Sequence, residues 1–233
     1  GLNFATPLPP TAGLGIAWVS AGVTDIQGRN SAGEKTTMMQ TSEDALMISF
    51  AQRILPWFSF GANIKILQNQ LPINESYKGS GIGFDIGLLI KSGKSTTFGL
   101  MIQDINSMYN WDSGDLYAEG RIYSEYFPTI YRLGTRFILK NIRVAADAGF
   151  ITNYRIGKKI EDDIFVNLLP RVGIEYTYLD LYYFRGGLGN GRIAFGWGLE
   201  YDLINNNDSR IDYTFSMDWA SQLAHTLSYA FNF

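Results

Sequence analysis

The chain has 233 residues, 46% hydrophobic and 15% aromatic, with a formal net charge of −3, one histidine and no cysteine. The acidic balance argues against nucleic acid as a partner, which wants a basic face, and the lack of cysteine excludes disulfide scaffolds and thiolate metal sites. No run of about 18 or more apolar residues occurs, so a helical membrane span is excluded too.

Gly1 opens without the basic and apolar regions of a signal peptide, which suits a processed or truncated chain. Leu8-Pro9-Pro10 reads as a stiff lead-in. From Thr11 onward the pattern has a period of two, the mark of strands with unlike faces. It predicts twelve strands, near 12–23, 44–55, 57–67, 81–91, 96–105, 128–139, 141–152, 166–178, 180–188, 191–203, 209–219 and 222–233. The alternation is clean in several of them. Ile82, Phe84, Ile86, Leu88 and Ile90 alternate with Gly83, Asp85, Gly87 and Leu89. Ile193, Phe195, Trp197, Leu199, Tyr201 and Leu203 alternate with Arg192, Ala194, Gly196, Gly198, Glu200 and Asp202. Ile211 to Trp219 repeats the pattern. The closing stretch sets Leu223, His225, Leu227, Tyr229, Phe231 and Phe233 against Ala224, Thr226, Ser228, Ala230 and Asn232.

Glycine and alanine are poor choices for the wet face of a soluble sheet, where Thr, Lys and Glu have better strand propensity. They suit the concave inside of a closed barrel, with lipid against the large apolar face and aromatics at the interfaces. The expected fold is therefore all-β, a single transmembrane antiparallel up-and-down barrel over residues 1–233. Long connections fall at 24–43, 68–80 and 106–127, with a middling one at 153–165. Short turns lie between them, which places the long loops outside the cell and both termini in the periplasm. The loop 106–127, with Trp111, Asp112, Asp115, Tyr117 and Glu119, has room to fold over the mouth or inward, but the reading preferred is an ordinary solvated loop.

Inward positions carry eight bases (Lys65, Arg132, Arg136, Arg143, Arg171, Arg185, Arg192, Arg210) and seven acids (Asp85, Asp147, Glu175, Glu200, Asp202, Asp212, Asp218). Such a nearly neutral set implies paired structural charges more than an ion-selective field. Catalysis finds no support. The one histidine, His225, falls on the lipid side among Tyr213, Phe215, Met217 and Trp219, with no nucleophile beside it. No cofactor or metal site is expected. The loops hold Met38, Met39, Tyr77, Tyr109, Trp111, Asp112, Tyr117, Tyr123 and Tyr126, and exposed tyrosine and tryptophan are common interface anchors. These residues are the expected protein-binding surface. Tyr229, Phe231 and Phe233 are the expected assembly signal of the closing strand, whose unpaired edge must be captured before lipid excludes water.

The stretches GLGIAWVSAGVTDIQGRNSAG (Gly13–Gly33), FSFGANIKILQNQL with GSGIGFDIGLLIKSG (within Phe58–Gly93) and FGLMIQDIN (Phe98–Asn106) resemble PorV/PorQ-type outer-membrane proteins, relatives of the FadL barrels. The tail Pro170–Asp202, Arg210–Ser216 and LAHTLSYAFNF resembles their closing strands. The resemblance implies fourteen strands, an N-terminal hairpin and an Asn-Pro-Ala motif that this chain does not show. It also implies a role in type IX secretion, in which a protein partner (the translocon, a cargo domain or a surface assembly) is held in the outer membrane of a diderm bacterium. FadL relatives instead carry hydrophobic small molecules in the lumen. The small and charged inward set favours the partner-binding reading, with the FadL-like transporter or an anchoring barrel as alternatives.

Overall fold

The computed structural model describes residues 1–72, 77–114, 119–152, 167–204, 207–218 and 223–232, with backbone alone at 202–204, 207 and 208. Among these residues there are fifteen strands and no helix: β1 (Leu2–Leu8), β2 (Ala12–Arg29), β3 (Lys35–Leu55), β4 (Phe58–Gln70), β5 (Lys78–Ser92), β6 (Thr96–Ile105), β7 (Met108–Asp112), β8 (Ile122–Tyr126), β9 (Thr129–Leu139), β10 (Ile142–Thr152), β11 (Asn167–Tyr178), β12 (Tyr182–Gly189), β13 (Arg192–Ile204), β14 (Asn207–Asp218) and β15 (Ala224–Phe231). They form one antiparallel up-and-down sheet in which each strand follows its predecessor, except that β7 and β8 leave the path and β9 follows β6.

All twelve expected strands are present, and the path holds one more. The addition is β1, which pairs with β2 from Leu2↔Trp18 to Leu8↔Ala12. Proline is tolerated on a strand that lacks a second neighbour, because the missing N–H leaves no rung unmade. Pro7, opposite Gly13, sits on β1, which among the described residues pairs with β2 alone. The count on the path is thus thirteen, neither the even twelve read from the pattern nor the fourteen implied by the resemblance.

Contacts group the described residues into two compact units. One is built from Gly1–Leu88 and Met101–Tyr131, the other from Leu89–Leu100, Arg132–Ile151 and Asn167–Phe233. In the first, the expected loop 24–43 is strand instead. Strands β2 and β3 run on as a hairpin closed by Asn30–Glu34, where the Asn30 side chain accepts from the Ala32 and Glu34 amides at 3.0 and 2.9 Å. At about 3.3 Å per residue the 18 residues of β2 span roughly 60 Å, whereas a bilayer needs only about 9–11 tilted residues. A register shift between Val23 and Ile26, with Asp25 at a left-handed φ of 59°, interrupts the ladder partway. The expected loop 153–165 lies outside the described residues.

The sheet has two unlike faces. Ile16, Trp18, Ile48, Ile64, Ile82 and Phe84 are all exposed on one face of the first unit. In the second unit Phe184, Phe195, Trp197 and Met217 are exposed on the corresponding face. Burying one such side chain stabilises by about 1.5–3 kcal/mol, so a sheet that leaves a whole face of them uncovered suits lipid as its solvent. The opposite face carries the small and charged residues.

Candidate functional site

The small-residue face of the first unit is where the chain departs most from its expected pattern. Residues 106–127 contain an ordered hairpin, β7–β8, with register from Met108↔Tyr126 to Asp112↔Ile122. It lies on β5, sharing the pairs Gly79↔Trp111 and Ser80↔Asn110. Glycine within a strand marks a close approach of another backbone, and Gly79, Gly81 and Gly83 do that here. A Cβ on Gly79 would stand 2.8 Å from the Trp111 ring, one on Gly81 would run into the Met108 carbonyl, and one on Gly83 into Ser107. The GSGIG pattern that reads as a lumen wall is therefore also a docking strip.

The hairpin brings aromatics onto this face. Leu67, Tyr109 and Trp111 form a buried cluster, with Ala45, Leu71, Tyr77 and Phe127 packed against it. Tyr77 stacks on Trp111 with ring centroids 5.5 Å apart, and Tyr109 meets Phe127 at 5.0 Å. The polar edges are satisfied. The Tyr109 hydroxyl donates to Glu43 at 2.8 Å and Trp111 Nε1 to Glu125 at 3.0 Å. Burial, then the hydrogen bond to Glu43, holds the Tyr109 phenol well above the usual tyrosine range; this residue lies off the spanning strands.

Beneath the hairpin sits a buried ion network. Lys65 pairs with Asp104 and, at 2.7 Å, with Asp85. Asp85 also accepts from Asn63 at 3.0 Å and from the Asp104 amide at 2.9 Å. Ser49 donates to Asn63 at 3.0 Å. Asp104 and Asn106 adopt left-handed φ values of 58° and 51°, just where the chain leaves β6 for the hairpin.

In the second unit the charges form a ladder across neighbouring strands. Arg143 donates to Glu175 at 2.8 Å, Arg185 to Glu175 and to Asp212 at 2.6 Å each, and Arg210 to Asp212 at 2.9 Å. Tyr183, buried, donates to Glu200 at 2.6 Å and lies under the guanidinium of Arg210 at 4.4 Å. Arg132 meets Asp147 at 2.6 Å and Arg192 meets Asp218 at 2.9 Å. With the Asn190 amide turned to accept, Arg171 donates to it at 3.0 Å. The Asp202 side chain lies outside the described residues.

The expected partner-binding residues divide. Tyr109 and Trp111 are corrected from exposed loop residues to core ones, at 3% and 5% exposure, because the glycine strip lets the hairpin lie flat on β5. Tyr77 goes with them, half-buried, and Met39 is half-buried on β3. Met38, Asp112, Tyr123 and Tyr126 are exposed. Tyr117 lies outside the described residues, as does Phe233 of the expected assembly signal; Tyr229 and Phe231 are exposed on β15. His225 stands beside Phe215 and takes a 2.6 Å hydrogen bond with the Tyr213 hydroxyl. Asp104 escaped the inward list, since only its left-handed turn brings it to Lys65. The Pro-free Gly-x-Gly-x-Gly run is the signal that could have located the hairpin dock.

No protein-family model and no curated protein matches the chain by sequence. Solved structures do match in fold. The Pseudomonas putida toluene transporter TodX superposes with a TM-score of 0.63 at 14% identity, over 100% of this chain and 82% of its own. The Ralstonia pickettii toluene transporter TbuX gives 0.64 at 13%, over 99% and 80%. A Pseudomonas aeruginosa FadL homologue gives 0.62 at 13%, over 92% and 69%. The fold is that of outer-membrane β-barrels.

Proposed function

We propose that this chain is a non-enzymatic channel in the outer membrane of a diderm bacterium and that it passes hydrophobic small molecules. One observation carries the reading. The hairpin sets an aromatic cluster of Leu67, Tyr77, Tyr109, Trp111 and Phe127 on a face otherwise made of small and charged residues. Leu67, Tyr109 and Trp111 are closed against one another at 3–8% exposure, so an apolar solute reaches them by lifting the hairpin from β5, and it then leaves water at about 25 cal/mol per Å² of apolar area covered. The inward strand residues alone lack such a cluster, which is why the sequence favours a different role. The kinship of fold with toluene transporters supports the same reading.

The test is uptake of radiolabelled toluene by diderm cells that lack a hydrocarbon channel of their own. Cells expressing the chain should take it up faster than vector controls, and Trp111→Ala should remove most of the gain while leaving barrel abundance unchanged. Equal uptake with and without the barrel would sink the proposal.

A second reading keeps a protein partner of the PorV type, with a type IX translocon, cargo domain or surface assembly on the loops. It is favoured by Ile122, Tyr123 and Met38, which stand 71%, 67% and 58% exposed. It loses Tyr109 and Trp111, the anchors on which it leaned. Partner recovery that depends on Tyr123 and Ile122, with no toluene phenotype, would favour it over the channel.

A further inference from the structure

The second unit holds a site with a chemistry that the aromatic cluster does not have. Registers across β10 to β15 place Ala145, Gly173, Gly187, Ala194, Ser216 and Ala224 in one continuous row on the small-residue face. No side chain in that row exceeds serine. At about 4.8 Å between strands, the six positions make a floor of small side chains roughly 24 Å long. Polar rows border it on both sides. Arg143, Glu175, Arg185, Gly196 and Thr214 lie two residues away along their strands in one direction, and Asp147, Arg171, Gly189, Arg192 and Asp218 in the other. Two residues of strand span about 6.6 Å, so a body resting on the floor lies one row of side chains away from the guanidinium groups.

Charge is uneven around this floor. A recess of about 450 Å³ lies over it, with Arg136, Arg143, Arg185 and Glu175 as its charged lining. Arg143 and Arg185 share Glu175. Arg136 is exposed, meets Thr97 at 3.3 Å, and has no carboxylate within ion-pair distance among the described residues. Arg185 also meets Asp212 beyond the lining, so three guanidinium groups against Glu175 and Asp212 leave one positive charge over, on Arg136. Guanidinium groups bind carboxylates in a planar, two-pronged manner.

We propose that this recess binds the anion of a small planar aromatic acid, with the ring flat on the glycine–alanine floor and the carboxylate held by Arg136 and Arg143. The floor selects for planarity, since a puckered or branched body touches a flat surface with only part of its atoms. The arginines select for charge. The site is separate from the aromatic cluster in its residues and in its ligand class, so it stands or falls independently of toluene uptake.

The test uses the purified full chain in detergent and three probes by titration calorimetry: benzoate, cyclohexanecarboxylate (same charge, not planar) and toluene (same ring, no charge). Benzoate should bind saturably, and the other two at least tenfold more weakly. Arg136→Gln should weaken benzoate at least tenfold, and Gly187→Val, which fills the floor, should do the same without removing a charge. Lys35→Gln, an exposed charge on β3 of the first unit that does not line the recess, should change nothing. Heat-modifiable migration on gels verifies that each variant is folded, and the two variants act through different surfaces, so one suffices if the other fails to fold. No saturable benzoate binding, equal binding of either comparison probe, or wild-type affinity in both variants would overturn the proposal.

Discussion

Lys65 and Asp104 form an ion pair although strand alternation sends them to opposite faces of the sheet. Asp104 shares its parity with Phe98 and Leu100, which face outward, and its left-handed φ of 58° turns the carboxylate back. The pair, with Asp85, is the footing of the hairpin. Lys65→Ala should strand two carboxylates in a site where they are largely shielded from water, and removing one partner of such a set costs about 3–5 kcal/mol. The triple variant Lys65→Met, Asp85→Asn, Asp104→Asn should recover most of that loss. Midpoints of heat-modifiability on gels compare the three; a single variant as stable as the wild type would show that the network is not structural.

The docking strip makes a sharper prediction. Gly81→Ala puts a methyl group where the Met108 carbonyl lies, and overpacking of this kind costs about 1–3 kcal/mol. The expected result is a barrel that still inserts while the hairpin lifts from β5. Trp111, now wetted, should shift its emission to the red by comparison with the same variant carrying Trp111→Phe. Unchanged emission would mean that the strip yields to the extra methyl.

Alkali should loosen the same contact. The folded phenol of Tyr109 holds its proton more tightly than a free tyrosine, whose ordinary value is 10.0. The stability it contributes is therefore fully present below that pH and is lost as pH climbs above it, because only the detached hairpin can then release the proton. Trp111 fluorescence followed from pH 8 upward should report detachment beginning above about 10. In Tyr109→Phe that alkaline step should vanish.

On the outward face, Trp197 is 49% exposed and alternates with Gly196. Trp197→Arg should destabilise the inserted state by about 2–4 kcal/mol if the residue lies near the midplane. Urea-induced unfolding in lipid vesicles measures it. A change of less than half a kilocalorie would place the residue in water.

The alternation made the wall legible because each spanning strand reports its two solvents directly. Ile82, Phe84 and Ile86 against Gly83, Asp85 and Gly87 could be placed on their faces from the sequence, as could the members of the arginine ladder. Which acid each arginine meets was not legible, since cross-strand partners depend on a register that no single strand encodes; Arg185 on β12 meets Glu175 on β11 and, past β13, Asp212 on β14. The β7–β8 hairpin stayed hidden for a different reason. Its two strands have five residues each, too short for a periodic signal, and what fixes them is a tertiary surface that the glycines of β5 supply. Tyr109 and Trp111 consequently read as loop aromatics. At β1, Pro7 masked a strand that among the described residues pairs with β2 alone.

Among the described residues the hairpin shares two paired positions with β5, Gly79↔Trp111 and Ser80↔Asn110, and rings and charges add to its hold. Side-chain contacts of this kind let go together, whereas a long ladder frays rung by rung. Amide protons of Met108–Asp112 and Ile122–Tyr126 should then exchange with deuterium as a single block, through an opening far cheaper than unfolding of the thirteen-strand path. Such a segment is a separate cooperative unit inside a rigid wall, able to visit an open state many times in the life of a protein whose barrel never comes apart.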